Sequence, residues 1–151
     1  KGYATSISDY YQLDEPLTTN TARGDNMNHR KYAKSGLGAA RIAQYKLRLK
    51  ALMGEEALYL SPDLTLPSLA KRLGCSVNHL SQVINAGLGL SFFDWVSQHR
   101  IEHAKKLLMQ NDPQPILSIA YAVGFNSNSA FYAAFRKWVG TTPTAYRNQH
   151  R

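Results

Sequence analysis

Residues 116–147 read ILSIAYAVGFNSNSAFYAAFRKWVGTTPTAYR, and residues 66–95 read LPSLAKRLGCSVNHLSQVINAGLGLSFFDW. These two stretches are copies of one pattern. Ala70 and Gly74 of the first copy recur 50 positions later as alanine and glycine, and Gly89 recurs 51 positions later. One residue is therefore inserted in the second copy, between its first glycine and the helix that follows. The repeat predicts two similar subdomains in one chain.

Each copy has the pattern of a helix-turn-helix. A small alanine lets two helices approach closely, and a glycine after the first helix can adopt the left-handed conformation that ends it. Apolar residues at spacings of three and four pack the second helix against the first, which leaves its other face outward. The outward positions are predicted to be Asn78, His79, Ser81 and Gln82 in the first copy, and Asn128, Ser129, Tyr132, Ala133, Arg136 and Lys137 in the second. Such side chains can bind base edges or phosphates.

Charge favours the same kind of partner. The 151 residues contain 18 Lys and Arg against 10 Asp and Glu, a formal net charge of +8. Residues 41–151 hold +7 of this charge, and residues 1–40 hold only +1. A basic chain of this kind favours nucleic acid or an acidic membrane surface. The single cysteine, Cys75, excludes an intramolecular disulfide and a zinc site of several thiolates.

The rest of the chain predicts an all-α fold of about seven helices. Apolar residues from about Ala39 onwards follow helical spacings, and no alternating run indicates a strand. Thr65, Ser76 and Ser91 are candidate helix caps, with Ser91 and Asp94 resembling a capping box. We predict an irregular tail over residues 1–40 and a folded domain over 41–151. Within the domain we expect a first subdomain at about 41–90, a long linker helix at about 91–110 and a second subdomain at about 112–151.

The repeat resembles the C-terminal DNA-binding domain of the AraC/XylS family of bacterial transcriptional regulators, over about residues 45–150. The resemblance is most specific in the second copy, which carries Ile119-Ala120, Val123-Gly124-Phe125, Ser127, Ser129, Phe131, Phe135-Arg136-Lys137, Gly140, Thr142-Pro143 and Tyr146-Arg147. It implies two helix-turn-helix subdomains joined by a long helix, with both recognition helices in adjacent major-groove segments of double-stranded DNA. A linker of twenty residues would be roughly 30 Å long, close to the roughly 34 Å between successive major-groove faces.

The resemblance also implies roles for individual residues. The base-reading positions would be Asn78, Ser81 and Gln82 in the first copy and Asn128, Ser129, Tyr132 and Ala133 in the second. Asn and Gln side chains suit adenine, whereas the short Ala133 can contact only a thymine methyl group. The phosphate-binding positions would be Lys71, His79, Ser127, Arg136, Lys137 and Arg147. Arg100 matches a position on the linker helix where the family usually has arginine, and we expect it to have a structural role.

Further expectations concern the whole protein. The chain begins at Lys1, and we expect it to be part of a longer transcription factor with an N-terminal sensor. The family suggests RNA polymerase as a partner and homodimerisation of the full-length protein. The domain itself is expected in the cytoplasm. The stretch Tyr32–Leu37, followed by a helix ending near Met53 and by Leu58-Tyr59-Leu60, resembles a subgroup in which this domain follows membrane-spanning sensor helices. This subgroup would place the full-length protein in the inner membrane.

Two other functions remain open on sequence grounds. A sequence-independent architectural DNA-binding protein would have the same charge. A serine hydrolase would use Ser68 and Lys71, which match an S-x-x-K pattern without its companion motifs. His99 and His103 have a spacing that can chelate zinc, but the sequence offers no residues to complete the site. The sequence therefore predicts no catalytic residues, no cofactor and no metal.

Overall fold

The computed structural model describes residues 38–151, so that the predicted tail lies almost entirely outside the described residues. In the order of the chain, the described residues form α1 (Ala39–Glu55), a 3-10 turn (Leu58–Leu60), α2 (Leu66–Leu73), α3 (Val77–Gln82), a π-helical turn (Val83–Gly87), α4 (Phe92–Leu108), α5 (Ile116–Ala122), α6 (Asn128–Val139) and α7 (Pro143–Gln149). This part of the chain contains no strand, and the all-α prediction of seven helices is confirmed.

Side chains cap the helices where the sequence places candidate caps. The hydroxyl of Thr65 accepts a hydrogen bond from the Ser68 amide over 3.2 Å, and the Ser68 hydroxyl accepts one from the Thr65 amide over 3.0 Å. This reciprocal pair is a capping box that starts α2. Ser76 and Ser91 cap α3 and α4 in the same way, each by accepting from an amide three residues later.

One detail of the cap prediction was wrong. Ser91 accepts from the amide of Asp94, but no reciprocal capping box is found at the start of α4. The carboxylate of Asp94 instead lies 2.7 Å from Nζ of Lys137, on α6. The short Asp side chain has therefore bound a partner from another helix.

Glycines confirm that the two copies share one backbone geometry. Gly74 and Gly124 have φ angles of 72° and 103°, and Gly89 and Gly140 have φ angles of 69° and 83°. All four lie in the left-handed region that glycine adopts without a steric penalty. The chain therefore turns in the same way at the equivalent points of the two copies.

Two apolar clusters form the core, and the linker helix α4 contributes to both. Its first part supplies Trp95 and Val96 to a cluster with the interior faces of α1, α2 and α3. Its second part supplies Ile101, Ala104 and Leu108 to a cluster with α5 and α6. The helix spans 17 residues, or about 25 Å, rather than the twenty expected. The separation of the two helix-turn-helix units therefore depends on how each unit packs on α4, as well as on the length of the helix.

Candidate nucleic-acid interface

The second helix of each helix-turn-helix begins with exposed polar side chains. In the first unit, Asn78 is exposed one residue inside α3. In the second unit, Asn128 and Ser129 are exposed at the start of α6. The N-terminal turn of a recognition helix is the part that reaches base edges when such a helix enters a major groove. Both units therefore present polar groups at the place where a duplex would be read.

The α6 surface is larger than the α3 surface. The helix has twelve residues, and its outward face continues through Ala133 to Arg136 and Lys137, all of them exposed. Its inward face buries Phe131, Ala134 and Phe135. Of the six positions of α6 that were predicted to face outward, five are therefore exposed: Asn128, Ser129, Ala133, Arg136 and Lys137.

Tyr132 is half-buried rather than fully outward. Its ring packs edge to face against Phe131, with the ring centroids 6.1 Å apart. The packing leaves part of the side chain in solvent, so that Tyr132 borders the outward face of α6.

Gln82 was predicted to face outward, and this was wrong. It is only 5% exposed, although it lies one helical turn after the exposed Asn78. The π-helical turn that begins at the next residue packs against α1 and α4, and its first two residues, Val83 and Ile84, are in the core. The chain thus turns into the core directly after Gln82, and a helical period alone does not reveal this.

Ser81 carries a contact that sequence reasoning missed. Asn85, in the π-helical turn, donates a hydrogen bond from Nδ2 to the Ser81 hydroxyl oxygen over 3.0 Å. Ser81 is half-buried, and this bond leaves its own proton available for donation. The spacing of four residues is the signal that could have identified Asn85 as its neighbour.

The predicted phosphate-binding residues fall into two groups. Lys71 and Arg136 are exposed, and the structure gives neither side chain an ion-pair partner among the described residues. The others make contacts within the protein. Ser127 caps α6 by accepting from the Ala130 amide, and Arg147 donates from Nη2 to the Gln114 carbonyl over 2.5 Å. His79 is half-buried.

Lys137 also belongs to this second group. Its ammonium lies 2.7 Å from the Asp94 carboxylate and 5.3 Å from the centre of the Trp138 ring. More than half of its side chain is nevertheless in solvent. A phosphate could therefore reach the ammonium beside the carboxylate, but it would compete with Asp94 for it.

The pair of histidines on α4 contacts Tyr59. The hydroxyl of Tyr59 forms a hydrogen bond of 3.0 Å with Nδ1 of His103. The ring of Tyr59 stacks on that of His99, with the centroids 5.6 Å apart. Burial lowers the pKa of His99 to about 4. Burial and the nearby charge of Lys106 lower the pKa of His103 as well. In residues 38–151, no group of three or more His, Cys, Asp or Glu side chains is arranged to hold a metal ion.

The hydroxyl of Ser68 is occupied in the helix cap. Besides its bond with the Thr65 amide, it donates to the Thr65 carbonyl oxygen over 2.8 Å. Lys71 lies exposed at the other end of the short helix α2. The two residues named for a hydrolase are thus explained by the start of α2 and by an exposed helix surface.

None of the helices in residues 38–151 has the length and apolarity needed to cross a bilayer.

Comparisons with known proteins agree with this geometry. A family profile described as a helix-turn-helix domain matches residues 69–149. An uncharacterized HTH-type transcriptional regulator of Bacillus subtilis, YtdP, is 35% identical over 89 residues, which are 59% of this chain and 11% of YtdP. The chain thus spans about a tenth of the length of the curated relatives of this kind that it matches.

Two solved structures extend the likeness to three dimensions. The C-terminal domain of AraT, a response regulator from Geobacillus stearothermophilus, is 33% identical with a TM-score of 0.58, covering 76% of this chain and 88% of that one. The DNA-binding domain of AdpA, described as a global transcriptional factor and solved in complex with a target DNA, is 26% identical with a TM-score of 0.58. In that pair, 74% of this chain and 91% of the other are covered.

Proposed function

Since the chain belongs to the AraC-type helix-turn-helix family of transcriptional regulators, we propose that it is a sequence-specific regulator that binds double-stranded DNA. The observation that carries the proposal is the duplicated helix-turn-helix on one linker helix, with exposed polar residues at the start of both α3 and α6. The recognition helices would enter adjacent major-groove segments of one duplex.

The exposed residues at the two helix starts would read the bases. Asn78, on α3, and Asn128, on α6, offer both a donor and an acceptor, which is the pattern that adenine matches in the major groove. Ser81, Ser129 and Tyr132 would add single hydrogen bonds, and Ala133 would contact a thymine methyl group. Gln82 is not among the base-reading residues, because its buried side chain cannot reach a base edge.

The basic residues would set the affinity. Lys71, Arg136 and Lys137 are exposed cations of the helix-turn-helix units, and His79, Ser127 and Arg147 would add further contacts to phosphates. Contacts of this kind fix the position of a protein on a duplex without reading its sequence. The +7 charge of residues 41–151 is favourable for this mode of binding.

An in vitro selection of bound duplexes from a random pool, using the chain of residues 1–151, tests the proposal. We expect the selected duplexes to share two short elements about one helical turn apart. A competition assay then compares a selected duplex with random duplex at several salt concentrations. Equal affinity for both would contradict the proposal and favour a sequence-independent architectural protein, whose binding depends steeply on salt alone.

The proposal treats the chain as non-enzymatic. The comparisons are to transcriptional regulators and DNA-binding domains, and the Ser68 hydroxyl is engaged in a helix cap. For the longer protein we propose a regulatory input from an N-terminal sensor and action in the cytoplasm, with contact to RNA polymerase and homodimerisation as further proposals. Co-purification of the full-length protein with RNA polymerase, and its mass by light scattering, would test the last two.

A further inference from the structure

The middle of the linker helix is polar and yet buried. Ser97, Gln98 and Arg100 are each at most 9% exposed, and they lie between the part of α4 in the first apolar cluster and the part in the second. A junction built from apolar side chains alone would hold two subdomains together but allow several packing angles. Polar groups with directional bonds restrict the angle. Arg100 makes such bonds, whereas the buried hydroxyl of Ser97 has no hydrogen-bond partner among the described residues.

Arg100 contacts both sides of this junction, through two hydrogen bonds on one side and an aromatic ring on the other. Its Nε donates to the carbonyl oxygen of Tyr59 over 2.7 Å, and its Nη2 donates to the carbonyl oxygen of Ser61 over 2.8 Å. Its guanidinium also lies over the ring of Phe125, 5.5 Å from the ring centre. Tyr59 and Ser61 belong to the 3-10 turn region before the first helix-turn-helix, whereas Phe125 lies in the turn of the second.

Gly124 shows how closely these segments approach. A Cβ atom at this position would lie 2.5 Å from the Tyr59 carbonyl oxygen, 2.8 Å from Nε of Arg100 and 3.0 Å from the Leu60 carbonyl oxygen. Two of these three neighbours are backbone atoms, which cannot rotate away. The turn of the second helix-turn-helix is therefore in direct contact with the 3-10 turn, at the point where Arg100 binds it.

The chemistry of arginine suits this site. Its planar guanidinium donates in two directions at once while its face packs on an aromatic ring, whereas a lysine ammonium has no such planar face. The backbone carbonyls satisfy the charge without a carboxylate in contact. Arg100 can thus join three segments that no single apolar side chain could hold in one orientation.

We propose that Arg100 is a positioning residue that fixes the orientation of the two helix-turn-helix units, and thereby the spacing between the two DNA elements that the chain accepts. The part of the proposal that concerns the spacing of DNA elements rests on the proposed function. Because one base pair advances the helix by about 3.4 Å and rotates it by about a tenth of a turn, a loosened junction would tolerate spacings that the native junction rejects.

The first experiment measures spacing. The two selected DNA elements are separated by spacers that vary by single base pairs, and affinity is measured for the parent chain, Arg100→Ala and Arg100→Lys. We expect the parent to lose about tenfold in affinity one base pair from the optimum, and Arg100→Ala to lose less than about threefold. Affinity for a single element should stay within about twofold, and Arg100→Lys should not restore the parent profile.

Arg72→Ala is the matched control, since Arg72 forms an exposed ion pair with Glu56 within the first subdomain. It should keep the parent spacing profile. If Arg100 only stabilised the fold, Arg100→Ala would lower the folded fraction without changing the ratio of the affinities for duplexes with different spacers. The same sharp optimum in Arg100→Ala and in the parent would overturn the proposal.

The second experiment needs no DNA. Spin labels are attached at Ala86→Cys and Ala122→Cys, which are exposed positions in the first and second subdomains, in a Cys75→Ser background. We expect one narrow distance distribution in this parent and a broader one when Arg100→Ala is added. Gly124→Ala should broaden it as well, because the added Cβ must displace the 3-10 turn. It also provides a second variant should Arg100→Ala fail to fold.

The two experiments separate the two possible failures. If the parent has no sequence preference among duplexes, the proposed function is wrong. If the distance distribution stays narrow in folded Arg100→Ala, or in Gly124→Ala should Arg100→Ala fail to fold, the positioning role is wrong, whatever the DNA results are.

Discussion

The carboxylate of Asp94, in the first turn of α4, lies 2.7 Å from the ammonium of Lys137, near the end of α6. The two residues are 43 positions apart in the chain, and they connect the linker helix with α6. Because both side chains are partly in solvent, the pair is worth at most about 1 kcal/mol. Lys137 can therefore exchange this carboxylate for a phosphate at little cost.

The first prediction concerns this exchange. Asp94→Asn should raise affinity for all duplexes by about two- to fivefold at low salt, because Lys137 no longer has to leave a carboxylate. Lys137→Ala should weaken binding to all duplexes alike and reduce the slope of log affinity against log salt by about one. Titrations of two unrelated duplexes at four salt concentrations measure both effects.

Glu102→Gln is the control for net charge. It adds the same charge to α4 as Asp94→Asn, but Glu102 pairs with Lys105 on its own helix. An equal gain in affinity from Glu102→Gln and Asp94→Asn would show that overall charge, rather than the release of Lys137, is responsible.

The second prediction separates two residues of α3. Gln82→Ala should lower the free energy of unfolding by roughly 1–2 kcal/mol, because Gln82 is a buried polar side chain, and it should leave base preference unchanged. Asn78→Ala should do the reverse, relaxing preference at one base position at a cost of roughly 1–3 kcal/mol of binding. Urea unfolding and binding to a single-base substitution series provide the two measurements. Loss of preference at one base in Gln82→Ala would restore the sequence-based interpretation of that residue.

The third prediction concerns the capping box of α2. Thr65→Ala should lower the free energy of unfolding by about 1 kcal/mol, because the Ser68 amide loses its acceptor at the start of the helix. Thr144→Ala, at an exposed position inside α7, should change it by less than about 0.5 kcal/mol. Thermal melting of both variants measures the difference. Equal melting temperatures would show that the box contributes nothing to stability.

The fourth prediction follows from the low pKa of His99. An unfolded histidine has a pKa near 6.5, and burial lowers that of His99 to about 4 in the folded chain. Between these values the unfolded state binds a proton that the folded state does not, so stability must fall as the pH falls from about 6.5 to about 4. The stabilisation is complete above this window, and the loss across it is on the order of 2–3 kcal/mol.

His99→Phe removes this titration while keeping an aromatic ring beside Tyr59 and Trp95, which both contact the imidazole. The free energy of unfolding, measured with urea, should differ less between pH 7 and pH 5 in this variant than in the parent. His103→Gln is the control, because burial and the charge of Lys106 lower the pKa of His103 too. If His103→Gln removed the whole pH dependence and His99→Phe none, the assignment to His99 would be wrong.

Local signals in the sequence predicted the helices and their ends. The caps at Thr65, Ser76 and Ser91 and the left-handed glycines at Gly74 and Gly124 occur where their residue types indicate. These features depend on a few neighbouring residues, so that their geometry is encoded within a single turn of chain. The repeat strengthened most of them, since Ser127 and Thr142 cap the equivalent helices of the second copy, although Pro115, at the position equivalent to Thr65, makes no side-chain cap.

Local signals failed at Gln82 and at the end of the linker helix. Gln82 has the helical phase of an exposed position but is buried, at the point where the chain enters a π-helical turn that packs on α1 and α4. The linker helix ends at Leu108 and Met109 already belongs to a turn, whereas the sequence predicts a helix to about residue 110.

The sequence by itself thus determined the all-α class, the duplicated helix-turn-helix, the caps and the family, because these depend on local periods and on a repeat that can be read along the chain. The tertiary structure alone decided the burial of Gln82, the pairing of Lys137 with Asp94 and the contacts of Arg100 with Tyr59 and Ser61. The last two join residues about 40 positions apart. Such contacts depend on the angle at which two subdomains pack, and that angle arises from many weak interactions that no short stretch of sequence contains.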